Sequence, residues 1–557
     1  MCSFRRVVLT GFSGTGKSTV ARLVARELGW RCLDLDEAIE KRFGQTVTAV
    51  FDDHGEAEFR RAEASELEEA LSANSVVIAT GGGAVVAPTA ETRARLESDE
   101  TFVVALDALP ETILHRLREQ QMQEGGAPLR PLLVGSEPIQ RISELKCARQ
   151  PAYDRADLSL VVDSISPDFL SAELTAIVRG DQPPDGGITL SAPSGESRIL
   201  VSKESHLDVG RHVRRHWPRV QRAWVISDEN VGRLYAPQLV NLLEREGVDG
   251  RVHHVPAGES SKCLSILATL YDWMLDGGIE RGDVIVALGG GVVGDLAGFA
   301  AATCLRGVGL VQVPTTLLAM VDSSVGGKTG INHAAGKNLI GAFYQPSLVL
   351  IDPTFLRTLP ARELTSGWAE VIKHALIQPS TPGGKRSDLV RFLQRNTAAL
   401  LQVREPAISY LIQRMVALKS AVVSADEREA GPRALLNFGH TLGHAIEAAG
   451  FHYLHGEAIA LGIRAAMRIG TEVGTCDPKR IAIVDALLTS FGLPTTATVD
   501  PELVIRLLNS DKKRLAGQQR WILPGDSGVV VRDDVPYATV ISTLESLLPA
   551  PSRSLGA

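Results

Sequence analysis

Residues Gly11 to Ser18 read GFSGTGKS, directly after the apolar run RRVVLT and directly before STVARLVAREL. A glycine turn between a strand and a helix aims backbone N–H groups at an anion, and the helix N-terminus adds a partial positive charge. In this G-x-x-x-x-G-K-[ST] spacing Lys17 reaches the β/γ-phosphates and Ser18 ligates Mg²⁺. One end of the chain therefore handles a nucleoside triphosphate. A second chemistry lies far downstream. NFGHTLGHAIEA sets His440 and His444 four apart on one helix face, HYLHGEA adds His455, and WAEVIKHA adds Glu370. These three histidines lie within one sixteen-residue stretch of a chain that has 13 in all. Two histidines and a carboxylate suit Zn²⁺ with a position left open for substrate. The missing Glu of H-E-x-x-H argues against a metalloprotease. A third pattern, G-x-G-x-x-G at Gly289, Gly291 and Gly294, follows a strand-like run. The acidic ribose contact expected about 20 residues later is absent, so a standard Rossmann ribose contact is not expected. Asp228, Asn230, Glu259 and Lys262 are other polar residues that could supply it.

Further charged residues cluster around these motifs. Asp34 and Asp36 stand two apart in CLDLDEAI. Strand alternation would put both on one face, near Mg²⁺ and a substrate hydroxyl; alternatively the pair caps the next helix. Arg60 in GEAEFRRAEA lies on a helix, as a ligand or as a solvated charge. Gly81 to Gly83 permit close backbone approach or a simple turn. Arg130 follows QEGGAPL, a stretch suited to a lid, and Arg149 and Tyr153 could clamp an anion. Downstream, Arg306, Lys328, Lys337, Asn338, Lys373, Lys419, Arg433, Asn437 and Lys512 interrupt glycine-rich or apolar motifs. They point to an acidic substrate carrying phosphate and carboxylate.

The elements that must position these residues follow from patterning. A chain of 557 residues holds three or four domains at roughly 150 residues each. With 44% apolar and 22% charged residues it has a globular composition, and a net charge of −7 without a basic run speaks against nucleic acid. Cys2, Cys32, Cys147, Cys263, Cys304 and Cys476 form no C-x-x-C and suit a reducing compartment. No signal peptide or membrane span is read, so a cytoplasmic location is expected. No internal repeat is evident. Strand and helix patterns alternate through the first 175 or so residues, predicting a parallel α/β unit. RGDQPPDGGITLSAPSGESR, from Arg179, reads as a linker. Strands AWVISDEN, GRVHHVPAG, DVIVALGGG, GLVQVPTT and SLVLIDP predict a second α/β part, and beyond Thr358 amphipathic helices replace strands. The domains expected are 1–176, a linker 177–190, 191–357 and 358–557.

The N-terminal motifs, taken in order, resemble shikimate kinase: the phosphate loop, D-L-D, F-R-R-A-E, G-G-G-A, R-P-L-L and R-x-P-x-Y-x-x-x-A-D. The resemblance implies a P-loop kinase fold that phosphorylates shikimate with ATP and Mg²⁺. Gly14, Thr15, Gly16, Lys17, Ser18, Thr19 and Arg130 would bind ATP. Asp36, Arg60, Gly82 and Arg149 would bind shikimate. Lys17 and Asp34 would be catalytic, Asp34 as base or orienter at the 3-hydroxyl.

From about residue 190 to 545 the chain resembles 3-dehydroquinate synthase, through PAGESSK, GGGVVGDLAGF, VPTTLLAMVDSSVGGKTGIN, GKNLIGAF, WAEVIKH, DEREAGPRALLNFGHTLGHAIE, LHGEAIALG and SDKKRLAG. The resemblance implies a Rossmann-like NAD-binding part followed by a helical metal-binding part. NAD⁺ would oxidise 3-deoxy-arabino-heptulosonate 7-phosphate, phosphate would leave, and the ketone would be reduced back before the ring closes. Glu370, His440 and His455 would bind Zn²⁺ or Co²⁺. Catalytic roles fall to Lys373 and His444, the latter facing the substrate phosphate rather than the metal. Arg306, Asp322, Lys328, Asn338, Lys419, Arg433, Asn437 and Lys512 would join them around the substrate. Gly290, Gly291, Val292, Asp295, Thr315, Thr316, Asp322, Ser323, Lys337, Thr358, Leu359 and Glu363 would bind NAD with the four polar residues already named. Arg306 would reach a neighbouring subunit's site, implying a homodimer. Two rivals stand beside this reading: a metal-dependent polyol dehydrogenase of similar fold, and an N-terminal domain that only senses nucleotide.

Overall fold

The computed structural model describes residues 4–123, 137–180, 187–384, 388–450, 452–514 and 520–548, with backbone only for 509–514. The chain forms two units, residues 1–184 with 386–407, and residues 185–385 with 408–557.

In the first unit, apolar runs become five parallel strands: β1 (Arg6–Gly11), β2 (Arg31–Asp34), β3 (Val76–Ala79), β4 (Thr101–Asp107) and β5 (Leu158–Val161). Their order is β2-β3-β1-β4-β5, with β1 central between β3 and β4. The central strands are buried along their whole length, as unbroken apolar runs in a helix-covered parallel sheet should be. Gly11 ends β1 at φ 130, where a Cβ would lie 2.2 Å from the Leu106 carbonyl oxygen, so only glycine lets the chain leave the sheet here. The helix Lys17–Leu28 follows at once. The alternation argument for Asp34 and Asp36 fails, because β2 stops at Asp34. Asp34 caps the helix Leu35–Phe43 by accepting from the Asp36 N–H at 3.1 Å, and Asp36 already lies in its first turn. The helix Leu389–Leu401 belongs to this unit, a placement that nothing in the sequence signals.

The second unit carries β6 (Ile188–Ala192), β7 (Gly195–Val201), β8 (Arg222–Asp228), β9 (Asp249–Val255), β10 (Val284–Gly289), β11 (Gly309–Pro314), β12 (Lys328–His333), β13 (Gly336–Phe343) and β14 (Leu348–Ile351). Seven of these form a sheet ordered β6-β7-β14-β11-β10-β8-β9, parallel except for β6 against β7. Trp224, Ile285, Leu296 and Leu310 form part of the core between this sheet and the helix Gly291–Thr303. After Thr358 the chain is mostly helical, including Ala361–Ile377, Ala407–Ala425, His440–Ala449, His455–Glu472 and Pro501–Arg514.

Two expectations are corrected. Half of the presumed linker is strand: β6 and β7 pair antiparallel and bury Leu190 and Ile199, so a polar composition hid an edge hairpin. Strands also recur after Thr358, where β15 (Trp521–Pro524) pairs with β16 (Val529–Arg532). The expected fold class, a P-loop unit with a parallel sheet, then a Rossmann-like part, then a helical part, is what forms. No helix among the described residues is long and apolar enough to cross a membrane.

Candidate functional site

The phosphate loop is closed by its own side chains. Lys17 Nζ donates to the Gly11 and Phe12 carbonyls at 3.0 and 2.9 Å, and Thr15 Oγ1 donates to Phe12 O at 2.8 Å. Gly16 caps the following helix at φ 92. Ser18 and Thr19 follow in its first turn, the end of a helix whose N–H groups lack intrahelical partners. A pocket beside the loop is lined by Asp36, Arg60, Gly82 and Arg149, the four residues expected to bind shikimate, together with Phe51 and Phe59. Asp34 is not among its lining residues. Arg149 Nη1 and Tyr153 Oη both donate to the Gly82 carbonyl, at 3.1 and 2.6 Å. Arg60 stands over the Phe59 ring at 5.4 Å and donates to Glu63 Oε2 at 2.6 Å. The sequence reading missed Glu63, although its i,i+3 spacing from Arg60 was the available signal. It is 1% exposed, and burial pushes its carboxyl up while Arg60 pulls it down. Arg130 lies outside the described residues.

The glycines after β10 form a second cradle. A Cβ on Gly290 would meet Thr316 Cγ2 at 3.0 Å, and one on Gly291 would meet Ser323 Oγ at 3.0 Å. The Thr315 N–H bonds Gly289 O at 3.0 Å, and the buried Thr315 hydroxyl makes no hydrogen bond among the described residues. Backbone and hydroxyls thus converge at the N-terminus of the helix Gly291–Thr303, with Val292 in its first turn. Gly294 packs instead against Gln312, whose amide donates to Gly294 O at 3.0 Å. Asp228 caps the helix Glu229–Arg245 through the N–H groups of Asn230 and Val231. Glu259 accepts from Asn332 at 2.7 Å, and the buried Lys262 joins Asp295 to Asn338. Burial raises the Asp295 carboxyl and Lys262 opposes it. Thr358 bonds Tyr235 at 2.5 Å, Leu359 follows it, and burial raises Glu363. Lys337 donates to Glu447 at 2.8 Å.

The histidines converge because two helices begin with them, His440–Ala449 and His455–Glu472, facing Glu370 on Ala361–Ile377. Glu370 Oε1 lies 3.5 Å from His440 Nε2 and 3.3 Å from His455 Nε2. Tetrahedral bonds of about 2.0–2.1 Å place neighbouring ligand atoms about 3.3–3.4 Å apart, so this set fits Zn²⁺ or Co²⁺. The opposite nitrogens are held from behind. His440 Nδ1 faces Phe438 O at 3.2 Å, and His455 Nδ1 faces Glu447 Oε2 at 3.4 Å. Such partners fix the tautomer and the ring orientation, and Glu447 is a second residue the sequence reading missed. Burial and the Lys373 ammonium hold His440 well below the usual imidazole range. Burial opposes charging His455, but hydrogen bonds to Glu370 and Glu447 outweigh it and push it up to about 9. His444, also on the first of these helices, lies 5.1 Å from the His440 ring and groups with Glu447 and His455 rather than with Glu370.

Cations crowd the same region. Lys373 lies against Glu370, and Lys419 against Asp322, whose backbone carbonyl it also meets at 2.7 Å. Burial pulls Lys419 down to about 8, with Asp322 acting the other way. Lys328 and Asn437 share Glu429, at 2.6 and 2.5 Å. Arg433 is 2% exposed and donates to the carbonyls of Glu427 and Gly326. Arg306 is exposed, at φ 67, and makes no hydrogen bond or ion pair among the described residues. Lys512 lies on the helix Pro501–Arg514.

Comparison with known proteins separates the phosphate-loop site from the metal site. The model for the 3-dehydroquinate synthase N-terminal domain matches residues 252–366 and that for its C-terminal domain 367–514, while the shikimate kinase model matches residues 13–178. A 3-dehydroquinate synthase of Symbiobacterium thermophilum is 44% identical over 360 residues, covering 63% of this chain and 99% of its own length. The structure of ValA, a 2-epi-5-epi-valiolone synthase from Streptomyces hygroscopicus with NAD⁺ and Zn²⁺ bound, is similar with a TM-score of 0.57. It is 28% identical, over 63% of this chain and 96% of that one. A 2-deoxy-scyllo-inosose synthase complexed with carbaglucose-6-phosphate, NAD⁺ and Co²⁺ is similar with a TM-score of 0.56. It is 25% identical, over 65% of this chain and 100% of that one.

Proposed function

We infer the roles of the site residues from one premise: the chain belongs to the 3-dehydroquinate synthase family and carries a shikimate kinase domain ahead of it. It is a bifunctional shikimate-pathway enzyme. One part phosphorylates shikimate with ATP, and the other converts 3-deoxy-arabino-heptulosonate 7-phosphate to 3-dehydroquinate and phosphate. The polyol dehydrogenase and nucleotide-sensor alternatives fall away with that premise. We assign the kinase to 1–176 together with 388–407, the NAD-binding part to the strands from β6 through residue 357, and the helical part to the rest of 358–557; the expected linker 177–190 is cut short by the helix Pro167–Arg179 and by β6 from Ile188.

In the kinase, Lys17 and the loop N–H groups hold the ATP phosphates, and the Ser18 hydroxyl faces Mg²⁺. Arg60 and Arg149 take the shikimate carboxylate, where planar guanidinium groups pair bidentately. Asp36 binds a ring hydroxyl, and Asp34, outside the pocket lining, caps the helix that bears Asp36 and so orients it toward the 3-hydroxyl. Catalysis is positioning plus charge neutralisation.

In the synthase, Glu370, His440 and His455 hold Zn²⁺ or Co²⁺, and the cradle after β10 holds NAD⁺. When bound, NAD⁺ accepts and returns a hydride, and the metal acts as a Lewis acid at the reacting hydroxyl and carbonyl. Lys373 stands beside Glu370 to neutralise charge on the substrate. His444, Lys328, Asn338 and Lys512 receive the departing phosphate. Lys419, Asp322, Arg433 and Asn437 complete the polar wall. Arg306, exposed and in a left-handed conformation, is free to serve a second copy of the chain, which supports a homodimer. Free cysteines among the described residues support a cytoplasmic location.

The observation that carries the metal assignment is the spacing of the two Nε2 atoms from Glu370 Oε1. Elemental analysis of two purified variants tests it. His440→Ala should lose most of its metal, whereas His444→Ala should keep the metal and lose turnover, since it acts on the leaving phosphate. Equal metal loss in both would make His444 a ligand.

A further inference from the structure

The first unit is completed by a segment from a distant part of the sequence. Residues 388–407 fall within the stretch matched by the synthase C-terminal model, 367–514, yet they group with the described residues of the first unit. The helix Leu389–Leu401 buries Leu389, Phe392, Leu393, Asn396 and Leu400 along one side. Asn396 pairs with the backbone of β5 in both directions, accepting from Ser159 N at 2.8 Å and donating to Ser159 O at 2.9 Å. An amide side chain thus supplies the hydrogen bonds that an edge strand leaves open.

The polar contacts of this helix converge on the end of β4. Asp107 accepts from Arg391 at 2.9 Å, from Arg395 at 3.1 Å, and from Lys146 at 2.7 Å. Arg391 also reaches Asp163 at 2.6 Å, whose other oxygen accepts from the Leu109 N–H at 2.8 Å. Burial works against a charge on Asp107, yet Lys146, Arg395 and Arg391 hold its carboxyl below the usual range. Lys146 sits on the helix Pro138–Tyr153, one turn before Arg149 and two before Tyr153, the two donors to Gly82 O. Arg391 and Arg395 therefore fix the carboxylate that anchors the helix bearing Arg149.

We propose that Arg391 is a positioning residue of the shikimate kinase site, acting through Asp107 and Lys146 on Arg149. The proposal rests on the reading of Arg149 as a shikimate ligand. The synthase-matched sequence thereby supplies a working part of the kinase.

The test measures shikimate phosphorylation and dehydroquinate formation on the same preparations of full-length chain. Arg391→Ala should raise KM for shikimate roughly five- to ten-fold, with kcat within about two-fold. Arg391→Lys should recover part of the loss, and dehydroquinate formation should stay unchanged. The double variant Arg391→Ala with Asp107→Asn should be no worse than Asp107→Asn alone, because the two act in series. An unchanged KM, a lowered unfolding midpoint with no change in KM, or effects that multiply in the double variant would each overturn the proposal. Arg395→Ala, at a more exposed position, carries the same KM expectation should Arg391→Ala fail to fold, and an unchanged KM there overturns it too. Arg149→Ala separates the readings. A raised KM in it with none in Arg391→Ala sinks this proposal alone, and an unchanged KM in Arg149→Ala sinks both.

Discussion

The phosphate loop and the metal centre are built on opposite principles. The loop is eight consecutive residues whose function lies in the backbone: β1 delivers Gly11, the left-handed Gly16 opens the helix, and Lys17 follows. The metal centre draws Glu370, His440 and His455 from the middle of one helix and the starts of two others. Its function lies in side chains, and these need partners behind them. A contiguous site is held by local chain geometry, whereas a site assembled from distant segments depends on second partners such as Phe438 O and Glu447.

That contrast can be sharpened by removing supports rather than ligands. Glu447→Ala removes the carboxylate behind His455 Nδ1 and should cost about 10- to 100-fold in metal affinity. Competition with a chelator of known affinity checks this, and unchanged affinity would mean that the ligands hold their geometry unaided. A smaller effect is expected at the kinase pocket, where Glu63→Ala removes the main partner of Arg60. Arg60 keeps the nearby Phe59 ring and a weaker contact to Glu56 at 3.4 Å. The KM for shikimate should rise about ten-fold, near 1.4 kcal/mol, with little change in kcat. A loss confined to kcat would place Glu63 in the chemistry instead.

The same contrast governs what the sequence could disclose. The phosphate loop, the strands of unbroken apolar residues and the pocket residues Asp36, Arg60, Gly82 and Arg149 were legible, because each signal is local or belongs to a long matching motif. Spacing alone made His440 and His444 equal candidates. Only the arrival of Glu370 beside His440 separates them, and that is a tertiary fact. Glu63 and Glu447 escaped notice because a buried carboxylate on a helix looks like any surface glutamate until its neighbours are known. The β6–β7 hairpin was hidden by its polar, glycine-rich composition, since an edge strand needs only one buried face. The Asp34–Asp36 spacing misled because a two-residue period was carried past the end of a strand into a helix. The docking of Leu389–Leu401 had no local signal at all: its buried face spells an ordinary amphipathic helix.

The central claim is that two complete sites share one chain and that each performs its chemistry without the other's ligands. Lys17→Ala tests it most directly, with both reactions assayed on one purified preparation. The change removes the cation proposed to bind the ATP phosphates, so shikimate phosphorylation should fall by about 10²- to 10³-fold or more. Dehydroquinate formation should remain within about two-fold of the parent, since additivity holds for sites without shared partners. Comparable loss of both activities in a folded Lys17→Ala protein would contradict the account.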